Sequence, residues 1–292
     1  VAMPDKDEDA PGFYRTELSG DGAERLVLRF SSADASILPS EGEGIGIELE
    51  LRGPKAALAD WRPNIRRVEG ILVLAEAEGP VKVVELRARI PAAIRDVEFH
   101  TRSGDAEVSG LKIGVLAETE TGRIRVRDAA SLEARSATGD IEVERTGACD
   151  LSVGSGRVRC LFPQDKVVAR SKSGDIDIDD AEGDLYLETA SGEISVTRPK
   201  GRVRAQSGAG DIEIEAPDPF GGGEATSVSG RIGFILGGAD LELRAETLSG
   251  RLVTPQGEIG TPAGPRRCAL SVGKGGRRLH AKSVSGDIEI DY

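Results

Sequence analysis

Ser173-Gly174-Asp175-Ile176-Asp177-Ile178 decides the fold, because its pattern returns along most of the chain. Aligning each Ser/Thr-Gly-charged-apolar turn on its glycine gives Gly104, Gly122, Gly139, Gly156, Gly174, Gly192, Gly210, Gly230 and Gly250, with a further copy at Gly286. From Gly104 to Gly250 the spacings are 18, 17, 17, 18, 18, 18, 20 and 20 residues. So constant a period is the mark of a repeat architecture. Two residues after each glycine stands an apolar residue, from Ala106 and Ile124 through Ile176 and Ile194 to Leu252. Most copies place another two residues further on, as in Ile178 and Val196. Seven and five residues before the glycine stand further apolar pairs, such as Val167 with Ala169 and Leu185 with Leu187. Period-two alternation of this kind predicts two short half-buried strands per repeat, joined at the Ser-Gly corner. A polar loop such as Asp180-Ala181-Glu182-Gly183 then closes the repeat.

One repeat cannot bury a core alone, so repeats must stack, with like residues about 4.8 Å apart along each column. The expected fold is all-β: a parallel β-solenoid of about 10 regular coils of 17–20 residues. Corner glycines are expected to supply the backbone freedom of a sharp bend. A hydroxyl column three residues earlier (Thr101, Thr119, Ser136, Ser171, Thr189, Ser207, Ser227, Thr247) is suited to a ladder of its own or to bonding corner amides. The residues after the glycines, Asp105, Arg123, Asp140, Arg157 and Asp175, form a charge ladder of alternating sign. Alternation favours stacking in sequence order, since opposite charges then adjoin. It fails at Glu193 and again at Arg231 and Arg251, where like charges would meet, so those coils are expected to be offset or charge-exposed for another purpose.

The chain divides by pattern. Residues 1–22 read as a disordered lead, and residues 23–92 as an irregular β-rich N-terminal cap. Candidate strands there are Glu24–Phe30, Ile45–Leu51, Ile71–Ala75 and Val81–Ile90, with a short helical turn at Ala56–Trp61. Residues 93–253 hold the regular coils, and the Pro/Gly-rich stretch 254–267 reads as a loop insertion. Residues 268–292 read as terminal irregular coils. Cys268 to Gly275 echoes Cys149 to Gly156 as a tenth coil. Gly286 follows 11 residues after Gly275, too soon for a full coil, so one strand is expected to be missing. The final strand, Asp287–Tyr292, shows no cap, and its unpaired backbone groups would invite end-to-end pairing.

Composition narrows the function. A net charge of -12 disfavours general nucleic-acid binding and anionic membranes, and fits a cationic partner or simple repulsion between neighbours. Only 3% of residues are aromatic, which leaves little for sugar stacking. No apolar run approaches the roughly 20 residues that span a bilayer, and no signal peptide is expected from the polar start. Cys149, Cys160 and Cys268 have neither disulfide-framework nor metal spacing, and are read as small core residues. His100 and His280 are read as lone outward histidines. The Asp column, including Asp105, Asp140, Asp175 and Asp211, is explained by repetition without catalysis. Asp175 to Asp180 is the densest acidic stretch, but its carboxylates alternate along a strand instead of converging in a calcium loop. Gly208-Ala-Gly-Asp and Gly221-Gly-Gly lack the Gly-Lys-Ser/Thr of a phosphate loop. No cofactor, metal or catalytic residue is assigned.

Once laid out, the Ser-Gly-Asp-Ile turns at Ser173–Ile176 and Ser285–Ile288, with a lead-in ending Arg89-Ile90-Pro91, resemble a bacterial adhesin-like family of β-strand-repeat domains of unknown function. The resemblance covers about residues 24–292 and implies no catalytic residues. It implies a cell-envelope or extracellular location. The expected function is a non-catalytic structural or interaction protein, presenting flat charged β-faces to a protein or surface polymer. The alternative is a scaffold polymerising end to end through its C-terminal coil, and a carbohydrate-active β-helix enzyme stands third.

Overall fold

The computed structural model describes residues 9–238, 240–259 and 265–292. Apart from one four-residue helix, α1 (Lys55–Leu58), its regular structure is all β. The chain divides into two units, Val1–Gly139 and Asp140–Tyr292. In both, a regular coil gives one strand to each of two sheets, and the apolar columns point into the space between them. Ile176, Ile194, Ala169 and Ala205 are each fully buried. Removing an Ile side chain from water is worth about 1.5–3 kcal/mol, so the repeated columns are the main source of stability.

The first unit contains β1 (Asp9–Leu18), β2 (Arg25–Phe30), β3 (Asp34–Pro39), β4 (Ile45–Pro54), β5 (Asn64–Val68), β6 (Ile71–Ala75), β7 (Lys82–Ile90), β8 (Asp96–Ser103), β9 (Ala106–Ser109), β10 (Gly114–Thr121), β11 (Ile124–Arg127) and β12 (Ser131–Thr138). One sheet runs β1-β4-β7-β3-β9-β11 and the other β5-β6-β2-β8-β10-β12. Residues 9–18, expected to be a disordered lead, instead form β1, held antiparallel along all of β4; residues 1–8 lie outside the described residues. β2 and β3 form a coil that the glycine alignment misses. Ala33 stands in the glycine column beside Gly104, Asp34 in the charged column and Ala35 opposite Ala106. This coil lies between β6/β7 and β8/β9, so spatial order departs from sequence order.

The second unit contains β13 (Ile141–Glu144), β14 (Ala148–Ser155), β15 (Val158–Leu161), β16 (Val167–Ser171), β17 (Ile176–Asp179), β18 (Leu185–Thr189), β19 (Ile194–Thr197), β20 (Val203–Ser207), β21 (Ile212–Glu215), β22 (Gly223–Ser227), β23 (Ile232–Ile235), β24 (Leu241–Thr247), β25 (Leu252–Thr254), β26 (Gly257–Glu258), β27 (Arg266–Val272), β28 (Arg277–Ser283) and β29 (Ile288–Asp291). Its post-glycine sheet runs β13-β15-β17-β19-β21-β23-β29-β25-β26, and its pre-glycine sheet β14-β16-β18-β20-β22-β28-β24-β27. Registers from β14 to β23 keep each column in line; Ile176 lies beside Ile194, and Ala205 beside Ala225.

The end of this unit corrects four expectations. Stacking does not follow sequence order, because the β28/β29 coil lies between β22/β23 and β24/β25. The Gly286 coil lacks no strand, since β28 supplies Leu279, Ala281 and Ser283 in their columns opposite Gly223, Ala225 and Ser227. The Cys268 segment is no parallel coil. It is β27, antiparallel to β24, with Cys268 opposite Ala245 and only half-buried. Finally, the last strand is not left uncovered: β29 has β23 on one side and β25 on the other, so it offers no free edge. Of the expected loop insertion 254–267, residues 260–264 lie outside the described residues, and β26 pairs back on β25.

Candidate functional site

Three residues build the corner of each coil: a glycine packed on the preceding coil, a hydroxyl that bonds its own corner, and an acid that bonds the next coil. The column glycines are needed for close approach more than for an unusual backbone; of the ten only Gly104 and Gly156 have positive φ, at 135° and 140°. A Cβ on Gly174, Gly192, Gly210 or Gly230 would overlap the carbonyl of the preceding corner glycine. Gly122 and Gly139 are crowded in the same way within the first unit. Next, the buried hydroxyl column accepts the corner amide. Ser171 takes the Gly174 N–H at 2.7 Å, Ser207 that of Gly210 at 2.8 Å, and Thr247 that of Gly250 at 3.0 Å. Third, the Asp column accepts the amide one coil along. Oδ1 of Asp105 takes the Arg123 N–H at 2.8 Å, that of Asp140 the Arg157 N–H at 2.9 Å, and that of Asp175 the Glu193 N–H at 3.0 Å. Each Asp thus satisfies a backbone donor whatever the sign of its neighbour, which is why Glu193 can follow Asp175.

Arg231 and Arg251 do not adjoin. The inserted strand places Asp287 between them, and the charge column runs Asp211, Arg231, Asp287, Arg251. Arg251 donates its backbone N–H to Asp287 Oδ1 at 2.7 Å and its Nε to Oδ2 at 2.9 Å. Those bonds, the backbone one first, hold the Asp287 carboxyl below its ordinary range despite burial. Arg231 reaches Glu289 at 3.0 Å.

At the opposite corner, six residues after the glycine, Asp128, Arg145, Phe162, Asp180 and Arg198 all take left-handed φ of 48–56°. Such a backbone costs a non-glycine residue about 1–2 kcal/mol. Arg198 binds Asp179 and Asp180 at 2.7 Å, drawing the Asp180 carboxyl down. Arg157 lies 3.4 Å from Asp175 and 3.3 Å from Asp177. Burial nonetheless raises the Asp177 carboxyl, with Arg157 opposing and Asp175 adding to the rise. The Asp175–Asp180 run is therefore laced with arginine, and the described residues hold no group of three or more metal-ligating side chains.

Outward charge is divided unevenly between the sheets of the second unit. On the post-glycine sheet the outward strand positions hold Glu142, Glu144, Asp177, Asp179, Glu213, Glu215, Glu289 and Asp291 against one arginine, Arg159. On the pre-glycine sheet acid and base balance: Asp150, Glu188, Glu224, Glu242 and Glu246 stand with Arg170, Arg204, Arg244, Arg267, Arg278 and Lys282. The same insertion lines up Val228, Val284 and Leu248 on adjacent corners, 54%, 43% and 45% exposed. Sequence order hides that apolar rail, because Val284 follows Leu248 but lies before it in the stack.

The remaining candidates are quiet. His100 binds Glu118 through Nδ1 at 2.9 Å. Burial pushes Glu118 up, while Arg135 and His100 more than offset it, leaving the carboxyl below its ordinary value. His280 is exposed on β28. Cys149 and Cys160 are buried, and the Cys149 thiol together with burial drives Cys160 well above the ordinary thiol range. In the first unit a hollow of about 420 Å³ is lined by Asp34, Glu50, Glu85, Asp105, Glu107 and Arg125. Its Asp34 and Asp105 are already accepting backbone amides, and Glu85 binds Arg87 at 2.6 Å.

A family model described as Toastrack DUF4097 matches residues 70–291. The chain belongs to this family. Toastrack DUF4097 is a domain of unknown function, so membership accounts for the coils and leaves the role open. Solved structures similar to this Toastrack chain include a proposed cell adhesion protein from Clostridium sporogenes, 14% identical, covering 97% of this chain and 99% of that one, with a TM-score of 0.27. A proposed adhesin from Parabacteroides distasonis is 10% identical over 95% and 96% of the two chains, with a TM-score of 0.39. Another, from Bacteroides fragilis, is 12% identical over 95% and 96%, with a TM-score of 0.33. No curated protein matches the chain.

Proposed function

We propose that this Toastrack chain is a non-catalytic interaction protein of the cell envelope or surface, and that it docks a cationic protein or polymer on the post-glycine face of its second unit. The observation that carries this reading is the charge partition between the two sheets. Eight carboxylates stand on one outward face on every second strand, in rows about 9–10 Å apart, against one arginine within the strands; Arg145, Arg157, Arg198 and Arg231 reach five of them from the corners and leave the face in acidic surplus. A surplus of one sign steers oppositely charged partners and sets their orientation more than it adds raw affinity. The carboxylates are held on rigid strands, so little side-chain order is lost on binding.

Titration with an oligolysine peptide by calorimetry tests the reading. Binding should weaken as salt rises, because the Debye length falls from about 10 Å at 0.1 M to about 3 Å at 1 M. Replacing Glu213, Glu215 and Asp291 together by their amides should weaken it about tenfold, or about 1.4 kcal/mol. Replacing Glu188, Glu224 and Glu246 on the other face should leave it unchanged. Equal losses from both sets, or no binding at low salt, would sink the proposal.

A further inference from the structure

We infer that residues 277–291 are an exchangeable insert, and that the slot they occupy is an interaction surface for the same segment of a second copy of this chain. This goes beyond the docking of a cationic partner and does not depend on it. β28 fills the gap between β22 and β24, and β29 the gap between β23 and β25. Among the described residues, β24 pairs only with β27 and β28, and β25 only with β26 and β29. Without the insert, four strand edges face an open slot, each carrying unpaired backbone groups.

The slot selects its occupant. Closing it by bringing β22/β23 against β24/β25 would set Arg231 beside Arg251 and leave the Arg251 N–H without its Asp287 acceptor, so the slot favours an acidic insert over closure. The insert answers both, Asp287 taking Arg251 and Glu289 taking Arg231 at 3.0 Å. The register is set by sterics, since a Cβ on Gly286 would overlap the Gly230 carbonyl, and one on Gly250 the Gly286 carbonyl. Ser283 accepts the Gly286 N–H at 2.8 Å, and Ser285 donates to the Val228 carbonyl at 3.2 Å. An occupant therefore needs an alternating strand, a Ser-x-x-Gly corner and an Asp directly after it. The corresponding segment of a second copy has all three and would recover every one of these contacts.

The insert is joined to β27 through a glycine hinge. Gly273, Gly275 and Gly276 have φ of 62°, 73° and 116°, and a side chain on Gly276 would meet open space. Exchange of identical elements between copies needs only such a hinge to open, so its extent follows protein concentration.

The test uses two full-length chains that both carry Cys268→Ser. One also carries Thr226→Cys and the other Lys282→Cys, positions that face each other in register between β22 and β28. The two are unfolded together, refolded together at low and high concentration, and treated with a short bismaleimide. A linked 226–282 peptide joining the two chains forms only if the insert of one lies in the slot of the other. The expected result is that peptide, rising with refolding concentration and lost when the Lys282→Cys chain also carries Gly286→Val. No linked peptide at either concentration, or linkage indifferent to Gly286→Val, would overturn the inference.

Discussion

A methyl group on Gly192 would overlap the carbonyl of Gly174, so Gly192→Ala must push two coils apart. Overpacking of this kind costs about 1–3 kcal/mol, and urea unfolding should show it. Gly237→Ala is the control, because a Cβ there meets nothing within 4 Å; it should be close to neutral. The Asp column makes a second residue-scale prediction. If Asp175 serves chiefly as acceptor for the Glu193 N–H at 3.0 Å, Asp175→Ala should cost about 1 kcal/mol and Asp175→Asn should recover most of it. Equal loss in the two variants would mean that the charge is what counts. The sequence shows that Asp and Arg alternate. It does not show that the carboxylate is taken up by a backbone amide, because that bond joins residues 18 apart.

At the scale of the coil, the bond between Arg251 and Asp287 should be sensitive to acid. The folded Asp287 carboxyl titrates below its ordinary range, chiefly through the Arg251 backbone N–H. Its contribution is therefore complete above the unfolded value, near 4, and is lost as pH falls through the folded value. Asp287→Asn should lower stability by about 0.5–1 kcal/mol at pH 6, the value of a solvent-screened ion pair, and the deficit should shrink near pH 3; thermal melting at the two values checks it. The regular coils were legible because an 18-residue period and period-two alternation leave no other way to bury Ile176 and Ile194. The β2/β3 coil was not, since Ala33 replaces its corner glycine and Phe30 its hydroxyl. The place of β28/β29 was hidden for another reason. Gly210 to Ile214 and Gly286 to Ile290 read alike, Gly-Asp-Ile-Glu-Ile, so a column pattern carries no address. Two signals did carry one: the collision of Arg231 with Arg251, and the 36 residues from Gly250 to Gly286, enough for two coils. The acidic face was visible as separate columns, but which sheet each column belonged to had to come from the fold.

At the scale of the whole molecule, the β28/β29 coil decides what stays attached. Gly286→Val, whose new side chain meets the Gly230 carbonyl on the other side of the slot, should expel it and so raise amide exchange across Leu241–Thr254 and Arg266–Val272, while Val158–Glu215 stays protected. Retained protection along β24 would show that it has another anchor. In the first unit β2/β3 holds the corresponding place, between β6/β7 and β8/β9. A solenoid wound strictly in sequence order behaves as a one-dimensional array, which can unzip from its outermost turn inward at little cost per step. Here the outermost turns are held by a stretch of chain that is threaded beneath them. Fraying has no cheap first step, and a protease or a pulling force must break the two coils at such a place together.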